Sequence, residues 1–458
     1  MGGIKMEKTD VLVIGGSAAG LTAAIAGKSI YKDKDFLLIR KEEKVMIPCG
    51  IPYIFNSLKN SNQNILPGDT MYNNLGIRHR TATVSAIDKK NKVCKLDNGS
   101  EIKFDKLVIA TGSIPKVPSW LKGSNLENVF TIPKDKLYLD QMELKLKKCN
   151  HIVTIGGGFI GVELSDELNK NGKDITIVEI LPHILSLAFD KELAAQAEET
   201  LQARGVEIKT GAGVKEIYGE KGKVTGVLLN NGEKIKTDAV ILSLGYTPNK
   251  KLAEDAGIKL NEKGFIKVDE YMRTEDPDIF AVGDCAEKRD FVTRKLSNIM
   301  LASTACAEAR TAGMNLYKLC ALKTFSGTIA IFSTKIGETG FGAAGLTEQQ
   351  AREERFDIVT GTFEGIDKHP GKLPNMHKQI VKLIVAKESG LILGGEVIGG
   401  LSSGELINII GLAIENRMSI NSILIAQIGT HPLLTASPAA YPIIKAAEMA
   451  YRKLLNSA

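Results

Sequence analysis

Residues 151–161, His-Ile-Val-Thr-Ile-Gly-Gly-Gly-Phe-Ile-Gly, decide the fold of this 458-residue chain. His151–Ile155 is a short apolar run, and Gly156, Gly158 and Gly161 follow it in the spacing G-x-G-x-x-G. A helical stretch carrying Glu163 comes next, then a second strand, Asp174–Val178, ending in Glu179. In this strand–turn–helix–strand context each glycine has a task. The first permits the tight turn, the second lets backbone approach a pyrophosphate, and the third lets helix and strand pack closely. The helix N-terminus faces the anion. A carboxylate at Glu179 accepts hydrogen bonds from both ribose hydroxyls and repels a 2′-phosphate, which predicts NADH rather than NADPH.

The same pattern occurs about 140 residues earlier. Asp10–Ile14 reads as a buried strand, Gly15-Gly16-Ser17-Ala18-Ala19-Gly20 as the turn, and an alanine-rich helix runs to about Ser29. Ser17 replaces the middle glycine and is still small enough for backbone approach. The next strand, Phe36–Ile39, ends in Arg40-Lys41 where an acid is expected, with Glu42 and Glu43 close by. Two such loops in one chain predict two dinucleotides. Leu107–Ser113 and Ile279–Glu287 each add a buried strand before a small-residue turn, the second reaching Asp284.

Between the first loop and these strands lies Val45–Tyr53, Val-Met-Ile-Pro-Cys-Gly-Ile-Pro-Tyr, just after the second strand. We read Cys49 as a redox-active thiol held against a flavin. Gly50-Ile51-Pro52 reads as a helix start, with Pro52 near the first turn. A helix N-terminus would lower the thiol pKa by favouring negative charge. The six cysteines include no CxxC or CxxxxC pair, so neither a zinc knuckle nor a local redox disulfide is written, and no metal is expected. Scattered unpaired cysteines predict a reducing, cytoplasmic setting.

Net charge is +6, and no Lys/Arg run with interleaved aromatics points to nucleic acid. Glu7 and Asp10 precede the apolar run Val11–Ala26, which argues against an export signal. No run of about 18 apolar residues predicts a membrane span. From about Leu322 the composition changes to short alternating runs, Thr328–Ser333, Ile358–Phe363 and Ile380–Ala386. Helices are expected near Thr347–Glu354 and Ser403–Glu415. This region lacks a nucleotide loop and reads as an α+β interface domain.

In order, these features resemble the pyridine nucleotide–disulfide oxidoreductase family over essentially the whole chain. The resemblance implies an α/β fold with two Rossmann-like dinucleotide-binding domains and a C-terminal α+β dimerisation domain. The expected divisions are 1–120 and 247–321 for FAD, 121–246 for NADH and 322–458 for the interface. It implies FAD on Gly15, Gly16, Ser17, Ala18, Ala19 and Gly20, with Arg40 and Lys41 at the end of the second strand. Ala110, Thr111, Gly112, Gly283 and Asp284 complete that site, Asp284 on the ribityl chain. NADH is expected on Gly156, Gly158, Ile160, Gly161, Glu163, Glu179 and Gly245, and the assembly is expected to be a head-to-tail homodimer.

The lone Cys49 resembles the family's one-cysteine branch of coenzyme A-disulfide reductases, NADH oxidases and peroxidases, and persulfide or polysulfide reductases. Peroxidases and many oxidases of that branch place a histidine where this chain has Ala18, which favours a sulfur substrate here. Two tyrosine motifs of the coenzyme A-disulfide reductases are replaced by Lys368-His369-Pro370-Gly371 and Gly429-Thr430-His431-Pro432. The leaving thiolate needs a proton, and the family dimer brings the interface domain over the partner's cysteine. His431 and His369 are therefore candidate acids from the other subunit. The expected activity is NADH-driven reduction of a small disulfide, persulfide or polysulfide, with coenzyme A disulfide the leading guess. The alternatives are an NADH oxidase or peroxidase cycling Cys49 through sulfenic acid, and a non-catalytic flavin sensor or electron carrier.

Overall fold

The computed structural model describes residues 6–66, 69–320 and 324–456. Glu7–Ile14 pairs in parallel with Phe36–Arg40 on one side and Glu101–Ile109 on the other. Ile77–Thr81 and Ile279–Ala281 extend the parallel array at its two ends. Val11–Val13 and Phe36–Ile39 are buried without alternation, as strands covered on both faces require. The helix Ala18–Ile30 covers one face with Ala302–Met314 beside it. Small residues allow the close contact, since a Cβ on Gly313 would lie 2.5 Å from the Ala23 carbonyl oxygen. Strand 279–281 and helix 302–314 thus return to the first sheet after the chain has built the second.

Val93–Leu96 and Val84–Asp88 join the first sheet antiparallel, whereas the second sheet is parallel throughout, in the order Glu207–Lys209, Asp174–Val178, His151–Ile155, Ala239–Leu242 and Val129–Thr131. The helix Phe159–Lys170 follows its glycine turn. The third sheet is antiparallel, in the order Phe332–Ile336, Thr339–Gly345, Ile392–Gly399, Lys378–Ala386 and Ile358–Ile366. The helices Ser403–Glu415 and Pro442–Leu455 pack on it through Leu406, Ile407, Ile410, Ile443 and Ala446.

Helix Ser403–Glu415 lies where periodicity predicts it, and Glu348–Glu353 is entered through a capping box on Thr347. The strand expected at Thr328–Ser333 instead begins at Phe332. Ala330 takes φ +55°, and the Thr328 hydroxyl bonds that of Thr304, so neither continues an extended run. The domain boundary expected at 321–322 falls outside the described residues.

A buried ionic knot joins the second half to the third sheet. The Lys382 ammonium lies 2.8 Å from Asp190 Oδ2 and 2.9 Å from Glu348 Oε2. Asp190 in turn accepts the amides of Glu348 and Gln349, and its own amide donates to Glu396. Burial and the nearby Asp190 charge hold the Glu396 carboxyl well above its ordinary value, whereas Lys382 and the two amides hold Asp190 below its own against the effect of burial.

Candidate active site

Both glycine turns take the conformation their spacing predicts. Gly15 and Gly156 adopt φ +113° and +106°, where a side chain would be strained, and a Cβ would also strike the next strand's carbonyl oxygen. Gly158 is different, because nothing lies within 4 Å of the place a Cβ would take. That open backbone suits a pyrophosphate.

The two turns open on one continuous cavity of about 1440 Å³. This exceeds the roughly 300–1,000 Å³ of a typical single-ligand pocket. Its wall includes Ser17, Ala18 and Ala19 from the first turn, and Gly156, Gly158 and Ile160 from the second. Cys49, Ala110, Gly112, Glu163, Glu179, Gly245, Gly283 and Asp284 also line it. Gly20 and Gly161 serve packing: a Cβ on either would sit about 2 Å from the carbonyl oxygen of Gly15 or Gly156. Gly16 packs on the buried Arg40 side chain, whose guanidinium lies over the Tyr72 ring. Lys41 is exposed, and the Thr111 hydroxyl donates to the Asn249 carbonyl. Residues with room for two dinucleotides, small turns at two helix N-termini and a strand-end acid fit FAD and a pyridine nucleotide.

Cys49 faces this cavity, held from behind. Met46, Ile51, Ile54 and Phe55 are buried in a core shared with Val162, Leu164 and Leu168 of the second half and Phe341 and Ile398 of the third sheet. Backbone bonds add to this grip. The Ser57 amide donates to Glu167 at 2.8 Å, and Asn171 Nδ2 donates to the Phe55 carbonyl at 3.0 Å.

The expected helix start after Cys49 is not formed. Pro48–Gly50 and Pro52–Phe55 make two successive 3-10 turns instead, too short to present a helix dipole. The thiol is correspondingly not acidified. Burial pushes it up, the Glu163 and Asp284 carboxylates add to that, and Lys134 opposes it.

Glu163 stands on the second-half helix and is itself pushed up to about 7, chiefly by burial and further by Glu167, against a hydrogen bond from Thr334. Asp284 behaves oppositely. Burial alone would raise it, but Lys134 at 2.8 Å and the Ser113 hydroxyl at 2.7 Å hold it below its ordinary value. The Gly283–Asp284 turn is fixed by Glu308, which accepts the Gly283 amide, and by Lys288, which donates to the Gly283 carbonyl. Glu179 accepts the amides of Gly157 at 2.6 Å and Leu181 at 2.8 Å. Its carboxylate is thereby locked at the cavity wall.

Sequence reasoning missed Lys134, Ser113 and Thr334. A single lysine in a loop and two hydroxyls carry no spacing signal. Among the described residues no histidine lines the cavity. His369 and His431 lie together elsewhere: the His369 amide meets the Pro432 carbonyl at 3.2 Å, and His369 Nδ1 meets the Thr435 carbonyl at 3.0 Å. The His431 amide donates to the Thr435 hydroxyl. Among the described residues no helix is long and apolar enough to cross a membrane, and no cluster of His, Cys, Asp and Glu suits a metal ion.

Comparison with known proteins agrees with this architecture. The family model for pyridine nucleotide-disulphide oxidoreductases matches residues 9–309, and that for their dimerisation domain matches 331–440. A Methanocaldococcus jannaschii protein named NADH oxidase is 31% identical over 97% of this chain and 99% of its own. A Pyrococcus horikoshii NAD(P)H coenzyme A polysulfide/persulfide reductase is 33% identical over 86% of this chain and 88% of its own. The solved NAD-dependent persulfide reductase from A. fulgidus superposes with a TM-score of 0.89 at 30% identity, covering 97% of this chain and 83% of that one. With two glycine loops, a strand-end acid and a cysteine on one cavity, the chain belongs to the pyridine nucleotide-disulphide oxidoreductase family, whose members are FAD-dependent oxidoreductases.

Proposed function

We propose that this protein uses NADH to reduce a low-molecular-weight disulfide, persulfide or polysulfide through Cys49, coenzyme A disulfide being the first substrate to try. The observation that carries this reading is Cys49 on the wall of a cavity shared by both glycine loops, with the small Ala18, not a histidine, lining the same wall. Similarity to the persulfide and polysulfide reductases supports it.

FAD held in that cavity would supply electron-pair transfer from NADH, the sum being R–S–S–R, NADH and a proton giving two R–SH and NAD⁺. Cys49, as thiolate, attacks one sulfur of the substrate, the S–S bond breaks, and R–S⁻ leaves to take a proton. Two-electron reduction of the Cys49 mixed disulfide would free the second R–S⁻ and restore the Cys49 thiolate. Lys134 offsets the carboxylates that oppose the Cys49 thiolate. Gly15, Gly16, Ser17, Ala18, Ala19 and Gly20 would hold FAD with Ala110, Thr111, Gly112, Gly283 and Asp284, Arg40 bracing the turn and Lys41 lying outside the cavity. Gly156, Gly158, Ile160, Gly161, Glu163, Glu179 and Gly245 would hold NADH.

In this reading the chain divides at 1–120, 121–246, 247–321 and 322–458, and works in the cytoplasm as a homodimer. His431 or His369 of one chain then protonates the leaving thiolate at the other's Cys49. Anaerobic NADH consumption tests the function. Turnover with coenzyme A disulfide or polysulfide that outpaces turnover with oxygen supports it; the reverse order overturns it. The M. jannaschii relative favours a second reading, an NADH oxidase in which Cys49 passes through sulfenic acid, and that reverse order is its signature.

A further inference from the structure

Among the described residues, three exposed large apolar side chains line the cavity: Trp120, Ile180 and Leu187. Trp120 is the chain's single tryptophan and is 64% exposed. Such an indole on a cavity rim presents a flat apolar face with no internal use.

Its surroundings locate it. Leu121 is buried in the core over the second sheet with Val178 and Val214. Lys122 pairs with Glu216, and the Ile217 amide donates to the Lys122 carbonyl at 2.9 Å. Trp120 therefore stands at the head of the strand Val214–Glu220. Ile180 reaches the same place from Glu179, for a Cβ on Gly213 would lie 3.6 Å from Ile180 Cδ1 and 2.5 Å from Asn230 Nδ2. Gly213, Val214, Lys215 and Asn230 all line this part of the cavity. Two apolar side chains, a side-chain-free floor at Gly213 and a polar edge at Asn230 and Lys215 match a planar heteroaromatic base.

A ribose bonded to Glu179 carries its base next to Ile180, one residue further on. We infer that Trp120 stacks on the adenine of the pyridine dinucleotide and sets much of its affinity. This inference rests on the NADH reading of the second loop.

Titration of the FAD-loaded protein with ADP-ribose, reading tryptophan emission, tests it directly, because only Trp120 reports. Saturable quenching is expected with ADP-ribose and none with nicotinamide mononucleotide, which lacks adenine. By isothermal titration calorimetry, which needs no tryptophan, Trp120→Ala should weaken ADP-ribose about tenfold, within the range of base–aromatic stacking, and Trp120→Phe should recover most of the loss. Unchanged emission, or equal affinity in wild type and W120A, overturns the inference. NADH that fails to bleach the flavin of the wild-type protein would instead overturn the NADH reading itself.

Discussion

The Thr334 hydroxyl, on the first strand of the third sheet, donates a 2.8 Å hydrogen bond to Glu163 Oε1 on the helix of the second glycine loop. A residue of the C-terminal sheet thus opposes the burial that pushes up an acid on the Cys49 cavity. Glu163→Gln removes a negative charge that opposes Cys49 ionisation, after burial the largest influence on that thiol. The pH midpoint of Cys49 alkylation by iodoacetamide, followed by peptide mass, should fall in E163Q. The rate at pH 8 should rise severalfold. An unchanged profile would show that the two groups are not coupled.

Glu163 also makes stability depend on pH. Its folded value of about 7 lies above the ordinary 4.5, so folding takes up a proton between these values. Stability falls as pH rises through that window, and the penalty is complete above about 7. Urea unfolding at pH 5 and pH 8 should therefore show a smaller pH difference for E163Q than for wild type.

Glu179 is pinned by the Gly157 and Leu181 amides, so replacement disturbs both the ribose site and the glycine turn. Glu179→Ala should raise the NADH Kd by tenfold or more, about 1.4 kcal/mol at least. Binding of FAD, measured by retained absorbance, should not change.

Lys382 lies between Asp190 and Glu348 beside the buried Glu396, with Arg352 on the other oxygen of Glu348. Removing one member of such a group leaves uncompensated buried charge. Lys382→Met should cost about 3–5 kcal/mol in denaturant melts. Part of that loss should return in K382M at acidic pH, as Glu396 and its neighbours protonate.

The pairing of His369 with the His431 loop, away from the chain's own cavity, leads to a mixing experiment. C49S and H431N chains should each be poor disulfide reductases alone. If the histidine acts across the dimer, co-expressed chains contain one site with both Cys49 and a partner's His431. Activity recovered above the sum of the parents is the expected result; strict additivity would place the proton source elsewhere.

The parallel strands of the first two sheets were legible because Gly156, Gly158 and Gly161, and their earlier counterparts, stand at spacings that few other structures tolerate. The helix Ser403–Glu415 was legible from its apolar period. Around Cys49 the reading was less complete. Gly50-Ile51-Pro52 marked a helix start, yet the chain makes two 3-10 turns there, too short to present a dipole, and burial among carboxylates pushes the thiol up. Lys134 and Ser113 reach Asp284, and Thr334 reaches Glu163, from positions distant in sequence, so only tertiary packing reveals these contacts. Trp120 was visible as a count of one, but its place on the rim depends on Lys122 pairing with Glu216.

The anchoring of Ile51, Ile54 and Phe55 bears on how chimeras of this family can be built. Cys49 follows the first glycine loop in sequence, but its neighbours Ile51, Ile54 and Phe55 share their core with residues 130–206 and with the third sheet. A crossover near residue 120 would transplant the sulfur without the hydrophobic bed that aims it. Functional hybrids should therefore be those whose donor segment carries residues 46–58 together with the helix 159–170, even at the expense of the intervening strands. Inheritance of the reactive atom follows the core, not the order of the chain.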